Sequence, residues 1–245
     1  TFQAGDAING LGGTDRLDLT VDDANSSAAV TMEKVEQVYA RNVDTTDRTV
    51  DATGFSGVEQ FWNDRSTTNA VTFDNIGELA TIGVKETDTN TTATFINSVL
   101  SGDEDSVTVA LDGAAATGGD ITIGSDGNDG AETIVLSSGG DAANEIGTIA
   151  DAGEGDFVML DVTGSQDLEI NGVDSSVETV SAADFEGALT ADLTAAANAQ
   201  DLTVTGSAQD DSFTVGSIGT NDSFDGGEGD DTLAVSGAFG ASTVE

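Results

Sequence analysis

Apolar residues recur along this chain at short intervals and never gather into long runs. Leu17, Leu19 and Val21 alternate with polar residues, and so do Val107, Val109 and Leu111. This is the period-2 spacing of a strand with one buried face. A second pattern repeats around it: Met32-Glu33-Lys34-Val35-Glu36-Gln37-Val38, then Phe55-Ser56-Gly57-Val58-Glu59-Gln60-Phe61, then Ile76-Gly77-Glu78-Leu79-Ala80-Thr81-Ile82, with a later relative at Gly172–Val180. The apolar pairs within these units (Val35 and Val38, Val58 and Phe61, Leu79 and Ile82) are three apart, which alone would suit a helix. The Thr, Val, Asn and Gly around them favour short strands joined by bends.

Val35 and Val58 are 23 positions apart, and Val58 and Leu79 are 21 apart. A period in the twenties marks stacked supersecondary units, a solenoid. A uniform rung of about 21 residues, with rungs stacked ~4.8 Å apart, predicts about eleven or twelve rungs and a rod ~50–60 Å long. Gly, Asn and Asp punctuate the chain every few residues, too often for long strands or helices. Ser181–Gln200 stands apart: it is Ala-rich, with Phe185, Leu189 and Leu193 at helical spacing, and admits a helix as well as strands.

The turns carry the candidate chemistry. Gly226-Gly227-Glu228-Gly229-Asp230-Asp231-Thr232-Leu233-Ala234 reads G-G-x-G-x-D-x-U-x, with U apolar, the nonapeptide of calcium-loaded parallel β-structures. Gly227 and Gly229 permit the positive backbone angles of a very tight turn. Asp231, flanked by Asp230 and preceded by Asp225, offers hard anionic oxygens of the kind Ca²⁺ prefers. Gly10–Asp18 matches the same pattern with Leu11 in place of the second glycine, bringing Gly13 and Asp15 to the equivalent positions. Asp211 and Asp222 each precede x-Phe as Asp231 precedes x-Leu. Looser versions contain Asp105, Asp129 and the Gly153-Glu154-Gly155-Asp156 stretch. Stacked turns in adjacent rungs would let carboxylates share a cation; solvated Asx turns without metal are the alternative.

Composition narrows the functional classes. Of 245 residues, 46 are Asp or Glu and only 6 are Lys or Arg, a net charge of −40. All six basic residues (Arg16, Lys34, Arg41, Arg48, Arg65, Lys85) fall within residues 1–85, and the segment 86–245 has none. One continuous domain with an acidic later part is expected. Self-repulsion on this scale calls for cations or salt to offset it, and it excludes nucleic acid and anionic membranes as partners. No apolar run approaches the ~20 residues that span a bilayer, so direct membrane insertion is not expected. With no Cys and no His, zinc sites and the usual nucleophilic triads are excluded. A carboxylate pair for glycoside chemistry remains possible, although among so many acids close pairs arise by chance. Gly10–Gly12 and Gly153–Gly155 are excluded as phosphate loops by the acids beside them. Asn25, Asn90 and Asn221 head Asn-x-Ser/Thr sequons. Thr1–Asp6 has no charged and apolar leader pattern, and the chain reads as a segment of a longer one.

The nonapeptides, interleaved with Gly-Val-Glu-x-Val/Phe rungs, resemble the repeats-in-toxin superfamily, and more narrowly the bacterial surface-layer proteins and large adhesins exported by type I secretion. That resemblance implies an all-β, right-handed parallel β-solenoid with calcium-binding turns, secretion to the extracellular cell surface, and folding conditional on external Ca²⁺. It also implies self-association into a lattice or filament, with cell-surface polysaccharide met through other domains. The calcium aspartate maps by motif position onto Asp15, Asp211, Asp222 and Asp231. The chain departs from the toxins in lacking long tandem nonapeptides, which favours a structural, non-enzymatic solenoid. An adhesin or ice-binding solenoid, whose flat face would present threonine ladders, is the alternative, ahead of a polysaccharide lyase or epimerase.

Overall fold

The computed structural model describes residues 4–22, 30–114, 118–152 and 156–237, together with the strand pairing of Thr243–Val244. The chain winds as a parallel β-solenoid of about nine turns. Its longer wall has eleven strands: Arg16–Val21, Gln37–Asn42, Gln60–Asp64, Thr81–Lys85, Ser106–Asp112, Thr133–Gly139, Met159–Gly164, Thr179–Ser181, Thr203–Thr205, Ser223–Asp225 and Thr243–Val244. The facing wall has nine: Arg48–Asp51, Val71–Ile76, Thr91–Phe95, Ile121–Ser125, Asn144–Asp151, Leu168–Val173, Leu189–Asp192, Ser212–Val215 and Thr232–Val235. A short third sheet of Ala7–Asn9, Thr31–Glu33 and Phe55–Ser56 closes the first turns. The ladders are parallel throughout and cross Lys85 without a break, because Thr81–Lys85 pairs with Gln60–Asp64 on one side and Ser106–Asp112 on the other.

Alternation sets which side chains face inward. Val107, Val109 and Leu111 are buried while Thr108 and Ala110 between them face outward. The core is a thin column of Val, Ile, Leu, Ala and Phe, with Phe61, Phe73, Phe95 and Phe157 as its largest buried side chains. Val35, Val58 and Val177 are buried at the bends leading into the longer wall, so the three-apart apolar pairs belong to bends followed by strands. Leu79 differs: it is 58% exposed, and Ala80 is buried beside it.

The expected uniform rung gives way to turns of variable length, with eleven strands stacked along the longer wall and nine along the facing one. The register pairs Thr91 with Ile121, so that turn takes thirty residues, while Ser212 pairs with Thr232 after twenty. The extra length lies in connections such as Ile96–Asp105, which carries a 3₁₀ turn at Asn97–Val99. In the ambiguous stretch both tendencies are present. Leu189–Asp192 is a strand, and only Thr194–Ala199 is helical, burying Ala196 and Ala197.

Buried polar side chains tie one turn to the next. Asn63 Nδ2 donates to Thr89 Oγ1 (3.1 Å) and Thr91 Oγ1 (2.8 Å), while its carbonyl accepts from Ser66 Oγ at 2.6 Å. Asn42 Nδ2 donates to the Thr46 and Ala70 carbonyls. These groups are fully satisfied, as burial in an apolar column requires. Among the described residues no helix is long and apolar enough to cross a membrane.

Candidate cation-binding turns

The turn Gly226–Asp231 connects Ser223–Asp225 on the longer wall to Thr232–Val235 on the other. Gly227 has φ +93° and Gly229 φ +123°, the left-handed region that favours glycine. A Cβ on Gly227 would lie 1.9 Å from the Ser207 carbonyl oxygen, and one on Gly226 would lie 2.3 Å from Asp231 Oδ2. The first nonapeptide takes the same shape. Leu11 has φ +72° and Gly13 φ +126°, and Asp15 Oδ2 lies 2.6 Å from the Cβ position of Gly10. Leu11 thus adopts the backbone of the glycine it replaces, at a cost of roughly 1–2 kcal/mol, with its side chain 77% exposed. In the intervening turn, Asp211 Oδ2 sits 2.7 Å from the Cβ position of Gly206.

The carboxylates at these turns accept backbone N–H groups. Asp211 is 2% exposed; its Oδ1 accepts from Leu189 N (2.7 Å) and Ser207 Oγ (3.1 Å), and its Oδ2 from Ser207 N (2.5 Å). Asp222, 3% exposed, accepts from Leu202 N at 2.9 Å and Gly219 N at 2.6 Å. Asp231 Oδ1 accepts Asp211 N at 2.9 Å. Asp105 Oδ2 accepts Gly102 N at 2.7 Å, and its own N–H goes to Glu132 Oε2 at 2.6 Å. Each acid occupies the position just before a strand. The same device recurs where no nonapeptide exists, with Asp47 receiving Ala70 N, Asn90 receiving Asp120 N and Asp167 receiving Ala188 N. Sequence reasoning missed this general role; the signal was an Asp, Asn or Glu directly ahead of an alternating apolar segment.

The solenoid brings some of the expected residues together and parts others. The turns 206–211 and 226–231 stack directly: Glu228 N donates to the Ser207 carbonyl, Asp230 N to Asp210 Oδ1 (2.9 Å), and Asp211 meets Asp231. Asp222 lies at the other corner, ahead of the longer wall, the corner that Asp15 and Asp105 also occupy. Asp225 accepts Gly227 N at 3.1 Å, Gly13 is exposed, and Asp129 is held by Asn97 Nδ2 at 2.7 Å. Of the looser repeats, Gly153–Gly155 lies outside the described residues, as does the Asn25 sequon. Asn90 and Asn221 are exposed, the latter donating to Asp201 Oδ2 at 2.9 Å.

Asp15 Oδ2 is buried and has no hydrogen-bond partner, whereas Asp15 N donates to Glu36 Oε2 at 2.7 Å. A desolvated carboxylate oxygen calls for a donor or a cation. Among the described residues no three carboxylates gather at one point. A cation at these turns would therefore combine one or two carboxylates with backbone carbonyls, all hard oxygens suited to Ca²⁺. The oxygens of Asp211 and Asp222, already accepting N–H, would use their remaining lone pairs.

Elsewhere, burial raises the Asp161 carboxyl above its ordinary pKa, and the charge of Asp184 adds to this. The hydrogen bond to Asp112 raises Lys85. A groove of about 470 Å³ is lined by Ala143, Glu145, Asp167, Glu169, Ala188 and Thr190 among others, with no basic side chain in its wall. Comparison of the chain with models of known protein families, with curated proteins and with solved structures finds no match.

Proposed function

We propose that this chain is a segment of a non-enzymatic structural protein: a right-handed, calcium-stabilised β-solenoid of an extracellular surface layer or related cell-surface array. The observation that carries the calcium reading is the shared geometry of the turns 10–15 and 226–231, with a buried, partnerless carboxylate oxygen at Asp15. Calcium bound by Asp15, Asp231 and the carbonyls of their turns would neutralise part of the −40 charge, making folding and assembly depend on the outside medium. The acid-only groove, lacking the base that lyase chemistry needs beside its acids, fits a structural role better than an enzymatic one.

Thermal unfolding at low ionic strength tests this. Millimolar Ca²⁺ should raise the melting temperature strongly, EDTA should lower it, and Mg²⁺ should be a weak substitute because it demands a stricter octahedral shell. Identical melting in Ca²⁺ and EDTA sinks the proposal. One observation favours the ice-binding alternative: Thr49, Thr72, Thr92 and Thr122 stand in register on one outer face. Beside it Asp51 pairs with Asp74, the register then shifts at Asp74–Asn75, and Thr94 pairs with Gly124, so no second threonine column runs alongside the first. Thermal hysteresis measured on the folded chain decides this reading directly.

A further inference from the structure

The outer face of the first four strands of the longer wall differs from the rest of the molecule. Register places Asp18, Tyr39, Trp62 and Gly83 in one column, and Arg16, Gln37, Gln60 and Thr81 in the next. The Tyr39 and Trp62 rings stack with centroids 5.5 Å apart and planes within 8°. The Arg16 guanidinium carbon lies 3.6 Å from the Tyr39 centroid. Trp62 leans over Gly83, where a Cβ would fall 2.1 Å from the indole. Trp62 Nε1 and Gln37 Nε2 both donate to Gln60 Oε1, at 2.9 and 3.3 Å. Arg41 and Arg65 lie beside the stack, linked by Arg41 Nε donating to the Arg65 carbonyl at 2.9 Å, with Lys85 in the following strand.

Four of the chain's six basic residues therefore decorate one face of a molecule of net charge −40. The side chain of Arg65 is 51% exposed and that of Arg16 40%, whereas Asp64, beneath Arg65, is 6% exposed. Asp18, Asp64 and Asp112 pair with Arg16, Arg65 and Lys85 and offset part of this charge, at 68%, 6% and 34% exposure. Beyond Lys85 the chain has no Lys or Arg, so two copies meeting through that segment would set acid against acid. In the first four strands, by contrast, a partly exposed cluster of Arg, Tyr and Trp, the residue types enriched at the centres of protein interfaces, lies on the outer face. The ring faces are already covered, Tyr39 by Arg16 and Trp62, and Trp62 by Tyr39 and Gly83, which leaves no open ring face for a sugar to stack on.

We propose that this basic, aromatic face docks against the acid-only turns beyond Lys85 of a second copy of the chain. The inference rests on the self-assembling role proposed above and specifies how copies meet. Such a contact joins two different surfaces, so it is heterologous and propagates into an open array rather than closing as a two-fold dimer. Being electrostatic and peripheral, it weakens with salt.

Sedimentation velocity on the 245-residue chain in Ca²⁺ tests the contact, at about 0.01 M and about 1 M salt, where charges act over roughly 30 and 3 Å. Self-association is expected at low salt and should weaken at least tenfold at high salt. The double substitution Arg16→Gln, Arg41→Gln should weaken it by a similar factor, and Lys34→Asn, off this face and at φ +56°, should leave it unchanged. Iodide quenching of Trp62, the single tryptophan, should fall as the native chain associates, which reads the face without any substitution. Association that leaves Trp62 equally quenchable, or a folded double variant that assembles like the native chain, overturns the docking face while the self-assembling role stands. Binding of an anionic polysaccharide lost in the double variant, with self-association intact, overturns it in favour of that ligand. A native chain that stays monomeric at both salts in Ca²⁺ overturns both.

Discussion

Asp211→Ala separates the two jobs its carboxylate could perform. The side chain is 2% exposed and receives Leu189 N at 2.7 Å and Ser207 N at 2.5 Å. Leu189 and Ser207 are themselves 0% and 4% exposed, so truncation orphans two buried amides that water does not reach. Each stranded donor costs about 1–3 kcal/mol, or about 2–6 kcal/mol for the pair. The Ser207 hydroxyl, 3.1 Å from Oδ1, can rotate to another acceptor and adds little. Because stacked turns can open locally, the assay is amide hydrogen exchange at Leu189 and Ser207, with global melting as a companion. In EDTA, protection at both amides should fall by roughly tenfold to more than a hundredfold. Asp210→Ala, one residue away and exposed, removes only the acceptor for Asp230 N and should change stability by about 1 kcal/mol or less. If protection in EDTA is the same with and without the Asp211 carboxylate, and a difference emerges only with Ca²⁺, the residue serves a cation and the backbone-acceptor argument is wrong.

Other outcomes follow from single contacts. Gly83→Ala places a Cβ within 2.1–2.6 Å of three Trp62 ring atoms; it should cost about 1–3 kcal/mol by forced repacking and red-shift Trp62 emission, and an unchanged spectrum refutes the seat. Asp161 is raised first by burial and then by Asp184. Folding therefore disfavours its charged form, a penalty that is absent in acid and grows as pH rises through the carboxylate range. Asp161→Asn should accordingly raise the melting temperature at neutral pH and lose that advantage below about pH 3. An advantage that is constant with pH means titration is not its source.

The architecture was largely legible in the sequence because period-2 alternation and a repeat in the twenties are properties of the core column, which tolerates little variation. Val35, Val58 and Val177 announced the bends correctly. Turn length was not legible: nothing local marks Ile96–Asp105 as an insertion, since its Asn, Ser, Gly and Asp are those of any turn here. Ser181–Gln200 stayed open between helix and strand for a related reason. Ala and Leu suit a helix, yet Leu189 and Ala191 alternate into the core of a strand, and tertiary packing overrides propensity. At the turns, the motif was legible as backbone conformation, since Leu11 and Gly13 repeat the angles of Gly227 and Gly229. Which aspartates stack could not be read from spacings of 11 and 9, because successive motifs fall on opposite corners, so that Asp211 meets Asp231 while Asp222 lies across the solenoid.

Parallel stacking poses a general problem for so acidic a chain, because it sets equivalent residues of adjacent rungs ~4.8 Å apart. Two carboxylates at that spacing repel by about 1 kcal/mol in water and about 3–4 kcal/mol at an effective dielectric near 20. Asp51 and Asp74 are in register on the shorter wall, and so are Glu145 and Glu169. In each case an amide from the later of the two strands takes the place of a cation. Asn75 Nδ2 donates both to Asp51 Oδ1 at 3.1 Å and to Asp74 Oδ2 at 3.2 Å, and Asn171 Nδ2 donates to Glu145 Oε1 at 3.2 Å. Asn75 sits at φ +58°, a left-handed angle that asparagine tolerates better than most residues, so the same residue turns the strand and bridges the acids. At Asp51 burial pushes the carboxyl pKa up, yet the hydrogen bonds from Thr53 and Asn75 outweigh it and the net shift is downward. Asp51 therefore keeps its charge without metal. Asp15, with a buried oxygen and no amide to meet it, is where that solution runs out and a cation has the most to contribute.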